Sequence, residues 1–250
     1  MSTVMTPAAA ARRELAAFNG RLVGPEDSGY DEARKVYNAM IDRRPAVIGK
    51  PTSPTEVAQL IHFAREHGLP VAVRGGGHNG AGLGTVDDGV VIDLSLMRDV
   101  EVRPQERTVR VGGGATWGEV DRATGAHGLA TPSGIISTTG VGGLTLGGGL
   151  GHLTRKFGLS IDNLLSADVV LANGVSVRAS ADENPDLFWA LRAAAGTSAS
   201  SPRSSSACMR SAPSWPARRC GPSRTPRRSC RSTASSSPPR RASSTGSSRS

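Results

Sequence analysis

The chain has 250 residues, 37% of them hydrophobic and only 4% aromatic, enough apolar material for one large core or two small ones. Its formal charge of +9 sits at one end: from Thr197 onward there are 11 arginines and no acidic residue, which leaves 19 basic against 21 acidic residues in the rest. A slightly acidic body argues against a nucleic-acid or membrane-surface function spread over the fold, and because Cys208, Cys220 and Cys230 all lie in the basic end, neither a disulfide framework nor a zinc site is expected.

Near the start, Arg12-Arg13 imitates a twin-arginine signal, but "ELAAFNGRLVGPEDSG" follows where an apolar stretch belongs. No apolar run reaches the length of a membrane span, and a soluble, cytoplasmic protein is expected. A strand is predicted at Ala46–Gly49. A helix follows from Pro54 to His67, with Ser53 as N-cap, Pro54 in the first turn, Glu56 completing a capping box and Gly68 as the stop. Further strands are predicted at Val71–Arg74, Val90–Leu94, Thr108–Val111, Ala167–Leu171 and Ser176–Ala179. Helices are predicted from Trp117 to Ala126 and from Pro185 behind Asn184, the latter with Leu187, Phe188 and Leu191 inward. The class is α+β, with unusually long glycine-rich connections.

Two of those connections invite chemistry. Gly75, Gly76, Gly77, His78, Asn79 and Gly80 formally satisfy G-x-G-x-x-G, and Asp93 stands where a dinucleotide fold places its acid. No helix opens within the run, so that fold is rejected, and the absence of G-K-[ST] rejects a Walker loop. What remains is a strand-loop-strand whose amides form an anion nest, with Arg74 adding positive charge at its base. The second connection offers Thr138, Thr139, Gly140, Gly142 and Gly143, then Gly147, Gly148, Gly149 and Gly151. Two bare-backbone loops suit a long, phosphate-bearing ligand. Taken alone, His78 reads as a loop histidine bonded to its neighbours. Gly112, Gly113 and Gly114 read as a structural turn, His152 as either cofactor-facing or solvated, and His62, His67 and His127 as surface residues.

In order along the chain, "RGGGHN", "STTGVGGLTLGGGLG", "DNLLSADVVLANG" and "ENPDLFWALR" resemble FAD-linked oxidoreductases of the berberine bridge enzyme type, within the p-cresol methylhydroxylase and vanillyl-alcohol oxidase fold superfamily. The resemblance covers roughly Tyr30 to Gly196. It implies that Arg74 to Asn79, with Gly80 and Gly82, hold the FAD pyrophosphate. Ser137, Thr138, Thr139, Gly140, Gly142 and Gly143, and the run Gly147, Gly148, Gly149 and Gly151, would line the other side. Asn163, Leu164 and Val169 would border the flavin and ribityl chain. It further implies a covalent bond from His78 to the flavin 8α carbon, for which an unprotonated imidazole is a competent nucleophile. Relatives with a second, cysteinyl link carry it at the position of Ile136, so a single bond is expected. Implied with these are a small organic substrate, molecular oxygen as acceptor, and no metal, nucleic-acid or membrane partner.

After Gly196 the texture breaks. The family continues with a strand of the type N-F-G-V-V-T-x-x-E-F-R-L-H, whereas this chain reads T-S-A-S-S-P-R-S-S-S-A-C-M-R. Codons that encode this segment, moved by one inserted base, read N-F-G-V-V-T-A-L-E-F-R-L-H-A. Met209 has a single codon and restricts the restored residue to His or Tyr, and Cys208 forces x-T-G before it. Residues 197–250 are therefore expected to be out-of-frame translation, disordered for want of apolar periodicity and unable to supply the family's closing strand. The expected organisation is a lead segment over 1–42, an incomplete FAD-binding domain over 43–196, and this tail. The substrate domain and its catalytic base would lie downstream. A non-catalytic FAD-binding fragment is the rival reading, and a basic nucleic-acid binder the weaker third.

Overall fold

The computed structural model describes residues 5–193 and 207–211. Two sheets carry the architecture. The first has the order β1-β2-β4-β3, from β1 (Arg21–Val23), β2 (Val47–Lys50), β3 (Val71–Arg74) and β4 (Val90–Asp93). β2, β4 and β3 run parallel, and β1 lies antiparallel on β2. The crossover from β2 to β3 is α3 (Pro54–Glu66), which starts where expected because Ser53 Oγ accepts the Glu56 amide at 3.3 Å and Pro54 needs no amide partner. It stops at Gly68, whose φ of +64° an L side chain resists. Glu56 departs from the expected capping box. Its carboxylate accepts the amides of Thr52 at 2.7 Å and Asn19 at 2.8 Å, fastening the N-terminal chain to the helix.

Val57, Leu60, Ile61, Phe63 and Ala64 of α3 bury against Val47, Val90 and Ile92. Each fully buried large side chain there contributes about 1.5–3 kcal/mol. The same core includes Ala8, Ala10 and Ala11 of α1 (Pro7–Glu14). The stretch expected as a lead segment is therefore an integral layer, since its helix closes the core, β1 extends the sheet, and α2 (Tyr30–Ala33) buries Tyr30.

The second sheet is wholly antiparallel in the order β5-β6-β9-β7-β8, from β5 (Val100–Arg103), β6 (Thr108–Val111), β7 (Leu164–Val170), β8 (Ser176–Ser180) and β9 (Ala207–Ser211). Its core joins Val109, Val111, Ala167 and Val169 to Trp117 and Val120 of α4 (Trp117–Gly125), Val141 of α5 (Val141–Leu146) and Phe188 of α7 (Pro185–Ala193). The short α6 (Thr154–Phe157) completes the α-helices among the described residues.

β9 corrects the expectation that nothing in the tail replaces the closing strand. β6 and β7 each offer a row of main-chain donors and acceptors, and such pairing does not depend on side-chain identity. Val169 and Val170 of β7 are 1% and 2% exposed. The remaining tail, 197–206 and 212–250, lies outside the described residues. Among the described residues no helix is long and apolar enough to cross a membrane, and no cluster of three metal-ligating side chains occurs.

Candidate cofactor site

The site forms where the parallel strands end. Arg74 and Asp93 are paired in register at the last positions of β3 and β4, and Lys50 closes β2. Arg74, 6% exposed, donates to Asp93 Oδ2 at 2.8 Å and to the carbonyls of Ala33 and Lys35. Lys50 Nζ lies 3.3 Å from the same carboxylate. Burial pushes the Asp93 carboxyl up, but the Arg74 guanidinium, the Lys50 ammonium and the Ser95 amide outweigh it and hold it below the usual carboxylate range. Arg74, expected to bring positive charge to the loop, has that charge matched by Asp93. Its part is to brace the loop from below.

From Gly75 the chain turns away from the sheet. Gly77 has φ +69° and Gly82 φ +73°, and a Cβ on Gly82 would stand 2.7 Å from Ile41. Asn79 Oδ1 accepts the amides of Ala81 and Leu83 at 3.1 Å each. The segment before β2 supports the loop from outside: the Tyr37 amide donates to the Gly77 carbonyl at 3.1 Å, and Asn38 Nδ2 to that of Gly80 at 3.0 Å. Gly76 was expected to be bare so as to admit a ligand. Its nearest neighbour is the other glycine loop, for a Cβ there would be 2.7 Å from Gly140 Cα and closer still to the Gly140 amide. Gly140 is pinned in turn, because the Val141 amide donates to Ala115 O at 2.9 Å and Trp117 N to Thr139 O at 3.0 Å.

This backbone-on-backbone junction carries Thr138 and Thr139 to His78. Thr138 Oγ1 lies 3.0 Å from His78 Nε2 and Thr139 Oγ1 3.4 Å from Nδ1. The Tyr37 ring stacks on the imidazole at 4.0 Å between centroids and 17° between planes. Burial lowers the His78 imidazole from its ordinary value, which favours the neutral form.

Cavities open on both sides of the loop. The larger, about 750 Å³, is bordered by Gly75, Gly76, Gly77, His78, Thr138 and Tyr37, with Arg21 and with the pairs Lys35–Glu32 and Lys50–Asp93 on its wall. The smaller, about 300 Å³, is bordered by the same loop through Asn79 and by Thr139, Gly140, Gly143 and Leu144. Among the described residues, nothing accepts a hydrogen bond from the amides of Gly76, Gly77, His78 or Asn79. Unpaired amides beside a cavity, on a loop with no room for a Cβ at Gly76, fit a phosphate-bearing group such as the pyrophosphate of FAD.

Gly80 and Ser137 are exposed next to these groups, and Gly142 stands half-buried in the first turn of α5. The other expected contacts are not brought here. Gly147 caps α5, and the carbonyls of Gly148 and Gly149 accept the amides of Ile161 and Ser160 at 3.0 Å. A Cβ on Gly149 would meet Ser160, and one on Gly151 the Ser133 backbone, so this run is bare to let segments pack. Asn163 Nδ2 donates to the carbonyls of Phe157 and Leu159. Leu164 and Val169 are buried in the second core, and His152 is exposed away from both cavities. Gly112 and Gly114 are structural as read, each abutting the backbone of the segment that joins β4 to β5. Sequence reasoning missed Tyr37 and Lys50. Neither stands in a motif, and both reach the site only through tertiary placement.

The sequence profile of a family described as "FAD binding domain" matches residues 45–180. The chain belongs to that family. It is 38% identical over 177 residues to (R)-6-hydroxynicotine oxidase of Paenarthrobacter nicotinovorans, a match covering 71% of this chain and 39% of that protein. Among solved structures, a berberine-bridge-enzyme-like protein of the moss Physcomitrella patens superposes with a TM-score of 0.72 at 32% identity, covering 80% of this chain and 43% of the other. Glucooligosaccharide oxidase of Acremonium strictum superposes with a TM-score of 0.71 at 30% identity, covering 81% and 42%, and its flavin is described as 6-S-cysteinyl, 8α-N1-histidyl FAD. The chain thus spans about two fifths of the length of the relatives it matches. The FAD-binding domain expected from the glycine motifs is the one present, and FAD is its cofactor.

Proposed function

We propose that this chain is the cofactor-holding part of an oxidoreductase that removes a hydride from a small organic substrate, such as a secondary alcohol, sugar or metabolite ring, with FAD bonded to His78 and oxygen as final acceptor. The observation that carries the reading is the imidazole of His78, clamped by Tyr37, Thr138 and Thr139 in a loop where, among the described residues, the amides of Gly76 to Asn79 have no acceptor. FAD there supplies a two-electron acceptor for the hydride. The amides of Gly76 to Asn79 would hold the phosphates, Lys50, paired with Asp93, lines the larger cavity, and Tyr37 and the two threonines hold the imidazole. Relatives with oxidase names and small substrates support this reading, including a xylooligosaccharide oxidase seen with xylobiose.

The reading includes a frame slip after Gly196. In the restored frame the R-L-H of E-F-R-L-H falls on the positions of Ala207, Cys208 and Met209, so the restored strand would fill the slot that β9 now fills. The rival reading is a non-catalytic FAD-binding fragment, in which flavin binds and no substrate turns over. Expression of the chain with FAD, followed by acid precipitation, tests both: flavin in the pellet supports attachment, and turnover with candidate alcohols and sugars separates enzyme from fragment. Flavin wholly in the supernatant would contradict the attachment.

A further inference from the structure

We propose that Thr138 is a positioning residue for flavin attachment, fixing the His78 tautomer with the proton on Nε2 and the lone pair on Nδ1. This rests on the reading that His78 carries the flavin, and it names the atom that attacks and the group that takes the proton away.

Three contacts argue for it. The Nε2 to Thr138 Oγ1 distance of 3.0 Å is the usual length for an N–H donating to oxygen, and it makes Nε2 the more closely held ring nitrogen. Nδ1 has only Thr139 Oγ1 at 3.4 Å, near the limit of a hydrogen bond, and so keeps the freer lone pair. The Tyr37 ring, 17° from parallel at 4.0 Å, resists tilting of the imidazole and keeps its two nitrogens aimed at the two threonines.

The chemistry requires such a partner on Nε2. As Nδ1 bonds to the flavin 8α carbon, one C–H bond of that methyl group breaks. An imidazole alkylated on Nδ1 with Nε2 still protonated is a cation in a half-buried place, so the Nε2 proton must leave. Two protons and two electrons depart in all, taken by dioxygen, which becomes hydrogen peroxide. Thr138 is exposed while touching Nε2, which gives that proton a hydroxyl relay to solvent.

The test uses the 250-residue chain with Thr138→Ser, Thr138→Val and His78→Ala variants. In the flavin-free chain, nitrogen NMR of the His78 side chain should show Nδ1 unprotonated. Thr138→Ser should keep that signature, and Thr138→Val should move the population toward the other tautomer. After FAD is added, flavin retained on native gel filtration reports binding, and fluorescence on a denaturing gel reports attachment. Per FAD bound, Thr138→Val should attach flavin about a hundredfold more slowly than the parent, with Thr138→Ser restoring the rate. Attachment at the parental rate in Thr138→Val, or a parental tautomer in that variant, would overturn the proposal, and so would loss of all FAD binding, which would make Thr138 a binding residue. Failure of the parent to attach flavin, or attachment in His78→Ala, would overturn the underlying reading, and does so independently of the tautomer signature.

Discussion

Alanine at Gly76, Gly77 and Gly80 should give three different outcomes from one loop. At Gly80 a Cβ meets nothing within 4 Å and φ is not positive, so the change should stay within about 0.5 kcal/mol. At Gly77 the new atom has ordinary room, 3.6 Å from Arg74 Cδ, but φ is +69°, and holding an L residue there costs about 1–2 kcal/mol. At Gly76 the Cβ would lie 2.7 Å from Gly140 Cα, about 1 Å inside normal carbon contact. Gly140 is bonded on both sides to the start of α4, so the first loop must yield, at about 1–3 kcal/mol. For a domain of this size each kcal/mol lowers Tm by about 2–4 °C. Thermal unfolding should therefore rank Gly80→Ala nearest the parent, with Gly77→Ala and Gly76→Ala both clearly lower. FAD uptake should fall in Gly76→Ala, because separating the loops opens the cavity wall that Gly76, Thr139 and Gly140 form. A Gly76→Ala protein with the Tm and FAD occupancy of Gly80→Ala would refute the junction.

Asp93→Asn leaves the buried Arg74 guanidinium with no countercharge and should cost about 3–5 kcal/mol, read by urea unfolding. Because the folded Asp93 carboxyl titrates below an unfolded one, its stabilisation is complete above about pH 4 and is lost as pH falls through the folded value, so the variant should lose part of the parental acid transition. Glu56→Ala removes a carboxylate that accepts two amides and a hydroxyl; it should cost about 1.5–3 kcal/mol and expose the N-terminal chain to proteolysis first. Met209, paired to Val111 on one side and Ala167 on the other, should not tolerate proline, which removes a ladder amide from a central strand. Met209→Pro should make the second sheet protease-sensitive, and unchanged proteolysis would show that β9 does not hold it together.

The elements legible in the sequence are those whose signals are local. β-branched runs marked β3 and β6, and Ser53, Pro54 and Gly68 bracketed α3 to within a residue. α5 escaped because "VGGLTL" has two glycines, each about 1 kcal/mol worse than alanine in a helix; it forms because Gly140 is fixed before it and Val141 and Thr145 are buried. β9 had no apolar signal, since its slot is defined by main chain on β6 and β7. At the site, the loop glycines and His78 were readable from motif order. The reasons for some of them were not: the Gly76–Gly140 contact and the Arg74–Asp93 pair depend on strand register, and Tyr37 arrives from a segment read as a lead.

The central claim is that this domain bonds FAD through His78. Incubating the purified chain with FAD, denaturing it, digesting with trypsin and measuring the mass of the peptide Gly75–Arg98 tests it most directly. The account predicts an increment of one FAD on that peptide, fragmenting to His78 and absent from His78→Ala. An unmodified peptide from a chain that retains flavin under native conditions, or an increment on any other residue, would contradict it.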